Sequence, residues 1–201
     1  MVKVGVLALQ GDFAAHATAL RSAAVAAGVP LQLREVRRPG DLEGLAGLVL
    51  PGGESTTLLK LLAPEQLDLA IARFVTEQGG ALFGTCAGAI LVSREVRSPA
   101  QRSLGLLDAV IERNAYGRQV DSFITRLSAE EGSGLDGEPL EAVFIRAPRF
   151  LEVSPRVGVL ARVNGDPALV RQGRVLAATF HPEMTADARV HRFFLEHVIG
   201  A

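Results

Sequence analysis

The chain has 201 residues, a hydrophobic fraction of 48% and a formal net charge of −1, enough for one well-buried domain and short of two. No basic run or aromatic-interleaved patch invites nucleic acid, the apolar stretches are too short for a membrane helix, and the first of them reads as a strand because no small-residue cleavage site follows it. A single Cys excludes an internal disulfide, so the expected setting is reducing and cytoplasmic.

In the first half, strand and helix signals alternate. Residues 2–9 form a nearly continuous apolar run, as expected of a strand buried on both faces. Gln10-Gly11-Asp12 breaks it, and Phe13–Ala27 follows as an Ala-rich helix stopped by Gly28. Leu31–Val36 and Gly47–Leu50 read as the next strands. After the turn Pro51-Gly52-Gly53, Ser55 or Thr56 is the expected cap of a helix through Leu62. Residues 66–78 form another helix, and residues 81–83 a short strand that runs into Gly84-Thr85-Cys86-Ala87-Gly88 and a helix from Ala87. Such alternation means parallel βαβ units and a doubly wound sheet.

The second half is richer in strands, expected over residues 106–112, 122–127 and 141–145, with a solvated Gly-rich loop over 130–139. Residues 157–163 and 168–171 flank Asn164-Gly165-Asp166-Pro167, Gln172-Gly173 reads as a two-residue hairpin turn, residues 175–180 form a last strand, and residues 187–199 a closing helix. The expected fold is therefore a single α/β domain spanning residues 1–201, a doubly wound, mainly parallel, flavodoxin-like sheet with an antiparallel extension.

In open α/β sheets, ligands bind in the crevice beyond the carboxyl ends of the parallel strands. Four unusual segments fall at such ends: Gln10-Gly11, Pro51-Gly52-Gly53-Glu54-Ser55, residues 84–88 and His181-Pro182-Glu183. If the strands are parallel, all four meet along one edge.

Gly84-Thr85-Cys86-Ala87-Gly88 has the G-x-nucleophile-x-G form of a strand–turn–helix elbow, with Cys in place of Ser. A helix N-terminus beside Cys86 favours its thiolate. A lone Cys is usually a buried small hydrophobe, but the elbow argues for a nucleophile. His181 and Glu183 are two apart, so in extended backbone both project to one side and the carboxylate can fix the imidazole tautomer. Alone, His-Pro-Glu reads equally well as an ordinary turn; with an elbow Cys it forms the Cys–His–acid constellation of acyl transfer. Pro51-Gly52-Gly53 suits an oxyanion hole, with the Ala87 N–H as second donor, or is a plain β-turn. His191 and His197 on the closing helix read as surface or packing residues and His16 as structural. One Cys and dispersed histidines argue against a metal site.

At these residues the sequence resembles the class I, triad-type glutamine amidotransferases, and among them the glutaminase subunits of pyridoxal 5′-phosphate synthases. The resemblance runs along essentially the whole chain: Leu9-Gln10-Gly11 with His16, the Pro51–Thr57 segment, the elbow, Glu112-Arg113-Asn114, Tyr116-Gly117-Arg118-Gln119-Val120-Asp121-Ser122-Phe123, Phe144-Ile145-Arg146-Ala147-Pro148 and Phe180-His181-Pro182-Glu183. The Gly-Arg-Gln-Val-Asp-Ser-Phe and Phe-Ile-Arg-Ala-Pro blocks are the most specific. One departure is Ala15, where many such sequences have Glu.

The resemblance implies that Cys86 attacks the side-chain amide of glutamine, His181 moves the protons and Glu183 orients His181. Gly52, Gly53 and Glu54 would line the glutamine pocket, with the Gly53 N–H facing the oxyanion and Gln10 at a neighbouring strand end. Arg113, Ile145 and Arg146 would contact glutamine, although from sequence alone a surface salt bridge explains either Arg. Ammonia would pass to a (β/α)₈-barrel synthase subunit, in a large complex with a dodecameric synthase core. No cofactor is expected in this chain, which has no Schiff-base candidate among its two lysines, Lys3 and Lys60, and no phosphate-binding glycine fingerprint. The alternatives are a glutaminase of another pathway, such as histidine or cobalamin biosynthesis, a γ-glutamyl hydrolase, or a non-catalytic redox sensor or chaperone with an elbow Cys.

Overall fold

The computed structural model describes residues 1–113, 115, 122–135 and 137–201. Four of its strands are those whose ends carry the unusual segments: β1 (Val2–Leu7), β3 (Gly47–Leu50), β4 (Ala81–Thr85) and β12 (Val175–Ala178), with β2 (Leu31–Val36) beside β1. All pair in parallel in the order β2-β1-β3-β4-β12, so the ends of β1, β3, β4 and β12 are consecutive along one sheet edge. The sheet continues antiparallel through β11 (Asp166–Gln172), β10 (Gly158–Val163), β7 (Phe123–Ala129) and β8 (Leu140–Phe144).

Both faces of the parallel half are covered, which is why its strands read as unbroken apolar runs. Successive residues point into opposite cores: Val49 and Phe83 into one with Leu20, Val190 and Phe194, and Leu48, Leu50 and Leu82 into the other with Leu58, Ile71, Phe74 and Leu91. The first core lies under α1 (Phe13–Ala27) and α5 (Arg189–Phe193), the second under α2 (Ser55–Leu62), α3 (Leu67–Thr76) and α4 (Ala87–Val92). For α1 both predicted ends hold: the Asp12 carboxylate accepts from the Ala15 N–H at 2.9 Å, and Gly28 adopts φ 66°.

Several expectations are corrected. Residues 106–112 do not extend the main sheet; β6 (Leu107–Glu112) pairs with β5 (Ser93–Arg97) and β9 (Arg149–Val153) in a separate three-stranded sheet on the second core. The sequence of β5, Ser-Arg-Glu-Val-Arg, conceals this partner because four of its five side chains are polar. Glu54, not Ser55 or Thr56, caps α2. Its carboxylate reaches back to the Thr56 and Thr57 N–H groups at 3.0 and 2.7 Å, while the Ser55 hydroxyl donates to Gln101. Turn residues shift as well: β10 and β11 join through Asn164-Gly165, with φ 50° and 89°, and β11 and β12 through Gly173-Arg174, because Gln172 pairs with Val175. The closing helix starts at Arg189 and widens into a π-helical turn, Phe194–Ile199, that buries Phe194, Leu195 and Val198.

Candidate active site

Cys86 follows directly on β4 with φ 48° and ψ −103°, a conformation that costs a non-glycine residue ~1–3 kcal/mol and marks a sharp elbow. The contacts around it hold it there. Its N–H donates to the Ala178 carbonyl at the end of β12 at 2.8 Å, and its carbonyl accepts from the Ile90 N–H at 3.1 Å. The flanking glycines are required by close approach. A Cβ on Gly84 would meet the Gly88 carbonyl at 2.6 Å, and one on Gly88 the Leu50 carbonyl oxygen at 2.2 Å. Since α4 has only six residues, the main electrostatic partner of Cys86 is a side chain, His181.

His181 follows β12, and its N–H donates to the Val143 carbonyl at 2.8 Å. Its Nδ1 lies 2.7 Å from Glu183 Oε1, an arrangement that places the proton on Nδ1 and leaves Nε2 for chemistry. The expected extended geometry is not how the two residues meet. Pro182–Met184 form a 3₁₀ turn, and Pro182 turns the chain so that the Glu183 carboxylate curls back under the imidazole. Burial pushes the His181 pKa down, but its hydrogen bond to Cys86, its hydrogen bond to Glu183 and the charges of both overcome this and raise it to about 10. For Glu183 burial pushes the pKa up, and contacts with His16 and His181 hold it well below the usual carboxylate range.

The glycine turn after β3 leans on this pair. A Cβ on Gly52 would fall 2.4 Å from His181 Cε1 and 3.3 Å from Cys86 Cβ, so only glycine fits beside both. Gly53 has φ 139°, and the Gln10 side chain lies across it, its Nε2 donating to the Glu54 carbonyl at 2.7 Å. Ala87, the other expected oxyanion donor, is fully buried at the first position of α4.

A cavity of about 150 Å³ opens at Cys86 and His181, and Gly53, Glu54, Arg113, Ile145 and Arg146 line it, whereas Gly52, expected beside them, is not among its lining residues. That volume suits a small metabolite, well below the ~300–1,000 Å³ of pockets for drug-sized ligands. Arg113 Nη2 is 3.1 Å from both Glu54 Oε1 and Thr56 Oγ1. Glu54 thus serves the helix cap and Arg113 together, and its pKa, raised by burial, is brought down to about 2 by the Thr56 and Thr57 donors. Arg146 has φ 43°, a strained backbone at the cavity rim.

Ser55, expected from sequence as part of the strand-end turn and as a helix cap, also lines the cavity, as does Ile90, which was not singled out; Ile90 sits one helical turn after Cys86, and that spacing was the available signal. His191 and His16 prove to be fully buried, and His16 Nε2 lies 3.3 Å from Glu183 Oε2, whereas His197 is exposed. Of the block from Tyr116 to Phe123, only Ser122 and Phe123 are among the described residues, and Phe123 stacks on Phe144 with ring centroids 4.7 Å apart. Asn114 also lies outside them. No group of three or more His, Cys, Asp or Glu side chains suited to a metal ion occurs among the described residues, nor does any helix there have the length and apolarity to cross a membrane.

A thiol on a strained elbow, an imidazole beside it and a buried carboxylate behind that imidazole define a cysteine-dependent acyl-transfer enzyme on an α/β scaffold. The family follows from comparison: residues 6–200 match the model of the SNO glutamine amidotransferase family, and the chain belongs to that family. It is 54% identical over 194 residues to the pyridoxal 5′-phosphate synthase subunit PdxT of Thermus thermophilus, covering 96% of each chain. With the protein of the same name from Koribacter versatilis it shares 51% over 197 residues, covering 98% of this chain and 96% of that one. A solved glutamine amidotransferase structure, 48% identical, superposes with a TM-score of 0.85 over 98% of this chain and 99% of that one.

Proposed function

We propose that this chain hydrolyses L-glutamine to L-glutamate and ammonia and delivers the ammonia to a synthase subunit that makes pyridoxal 5′-phosphate. The observation that carries this is the convergence of Cys86 and the His181–Glu183 pair on one small cavity bordered by Arg113. The names of the similar proteins support the same pathway.

In this mechanism Cys86 Sγ attacks the side-chain amide carbon of glutamine, its proton having gone to His181. The tetrahedral oxyanion is met by the N–H groups of Gly53 and Ala87. His181 returns the proton to the departing nitrogen, the C–N bond breaks, and a γ-glutamyl thioester and ammonia result. Water then attacks the thioester with His181 as base, releasing glutamate and the free thiol. Glu183 keeps His181 in the required tautomer. Arg113 offers a forked donor to the glutamine α-carboxylate, with Gly52, Gly53 and Glu54 on one side of the substrate and Ile145-Arg146 on the other. The partner is a (β/α)₈-barrel subunit in a dodecameric core, and ammonia passes between the subunits because at neutral pH free ammonia is protonated and no longer a nucleophile.

The test combines co-purification with a barrel synthase and an assay of glutamate and ammonia from L-glutamine, with and without that subunit. The wild type should form both products, while Cys86→Ala and Cys86→Ser form neither and melt like the wild type. Substantial ammonia release by purified Cys86→Ala would overturn the assignment.

A further inference from the structure

Glu183 has two carboxylate oxygens, and His181 uses only one of them. The side chain is 1% exposed, so its second oxygen has no access to water, and a buried carboxylate lacking a partner is strongly disfavoured. Oε2 faces His16 Nε2 at 3.3 Å, off the direct hydrogen-bonding line, because the same nitrogen lies 3.1 Å from Thr85 Oγ1 at the end of β4. Two lone pairs at that separation would repel, so Nε2 carries a proton shared between Glu183 and Thr85. On its other side, His16 Nδ1 is 3.0 Å from His191 Nε2.

We propose that His16 is a positioning residue of this active site: its Nε2–H holds the second oxygen of Glu183, keeping that carboxylate ionised and aimed at His181, and His191 fixes the proton arrangement of His16. The carboxylate is thereby bracketed by two imidazoles, one on each oxygen. His191 is fully buried, and its Nδ1 has no partner. Burial and the neighbouring His16 hold its pKa down to about 3, so it is neutral and has one N–H to give. Giving it from Nε2 to His16 Nδ1 leaves only a lone pair unpaired, and it commits the His16 proton to Nε2. The groups facing this pair are Glu183 from the 3₁₀ turn, Thr85 and the Phe83 ring from β4, and each other from α1 and α5. His16 also ties α1, which begins just after Gln10-Gly11, to the triad.

This role rests on Cys86, His181 and Glu183 acting as a glutaminase triad, and two isosteric substitutions separate it from a packing role. A Gln amide nitrogen reaches the position of imidazole Nε2, whereas that of Asn reaches only Nδ1. With the synthase subunit present, His16→Gln should keep kcat within about threefold of wild type. His16→Asn should lose about ten- to hundredfold in kcat, the worth of a hydrogen bond to a charged group, with the KM for glutamine little changed. If His16→Asn does not fold, His191→Gln against His191→Asn repeats the comparison one ring further out, with kcat falling only in the Asn variant. Equal behaviour of the Asn and Gln variants, or a loss that falls on KM rather than kcat, overturns the proposal while leaving the glutaminase assignment standing. A wild type that forms no glutamate removes that assignment, and the role of His16 with it.

Discussion

Glu183 Oε1 lies 2.7 Å from His181 Nδ1, while its Oε2 faces His16, so the carboxylate takes one imidazole on each oxygen. An amide in its place has a single acceptor oxygen and cannot serve both rings. Glu183→Gln should therefore lower kcat at least about tenfold, since its oxygen can still face His181 but its NH₂ then opposes the His16 N–H. His181→Asn should cost more, about 10²–10⁴-fold, because it removes both proton transfers. Steady-state glutamate formation by the two variants tests the order, and a harsher Glu183 change would reverse the assigned roles.

Arg113 and Arg146 both line the cavity, and Arg113 is held there by Glu54 and Thr56. In Arg113→Ala, Glu54 keeps its Thr56 and Thr57 donors, so α2 should survive and the loss should fall on binding. The KM for glutamine should rise about ten- to hundredfold, the value of a charge-assisted contact, with kcat much less affected. Unchanged kinetics would make Arg113 a structural ion pair.

The high His181 pKa, about 10, is sustained against burial first by its hydrogen bond to Cys86. Cys86→Ala should lower the His181 titration midpoint, read by NMR on the imidazole carbon-bound protons. The sign of the linked stability follows: the folded value lies above the ordinary 6.5, so the contribution of His181 is complete below pH 6.5 and disappears as pH rises through about 10. Urea midpoints of wild type and His181→Asn should therefore converge across that window. A midpoint unaltered by Cys86→Ala would contradict the contact.

Gln10 joins the end of β1 to the Gly52-Gly53 turn proposed to hold the oxyanion, bonding the Glu54 carbonyl and lying across Gly53. A partner that docks on this edge can set the Gly53 peptide through it. One missing oxyanion donor costs roughly 10²–10³ in turnover, so basal activity should be low and should rise by about that factor on titration with the synthase subunit. Gln10→Ala should lose the stimulation. Full activity of the isolated wild type, or stimulation intact in Gln10→Ala, would show that docking does not act through this contact.

The amino-acid sequence by itself determined the parallel half of the sheet, the elbow and which residues gather at its edge, because each has a local cause. Apolar runs report burial on both faces, Gly84 and Gly88 are demanded by backbone contact, and Gln10, Gly53, Cys86 and His181 sit at strand ends that parallel pairing must gather on one edge. Tertiary structure alone decided what depends on partners distant in the chain. Ser93–Arg97 becomes a strand only because β6 and the second core receive Val96, and Glu54 caps a helix while holding an Arg 59 residues away. His16, 167 positions before Glu183, carries no local sign of reaching it. A lone His on an Ala-rich helix face looks like packing, and only the meeting of α1, the end of β4 and the 3₁₀ turn after β12 puts its ring against a buried carboxylate.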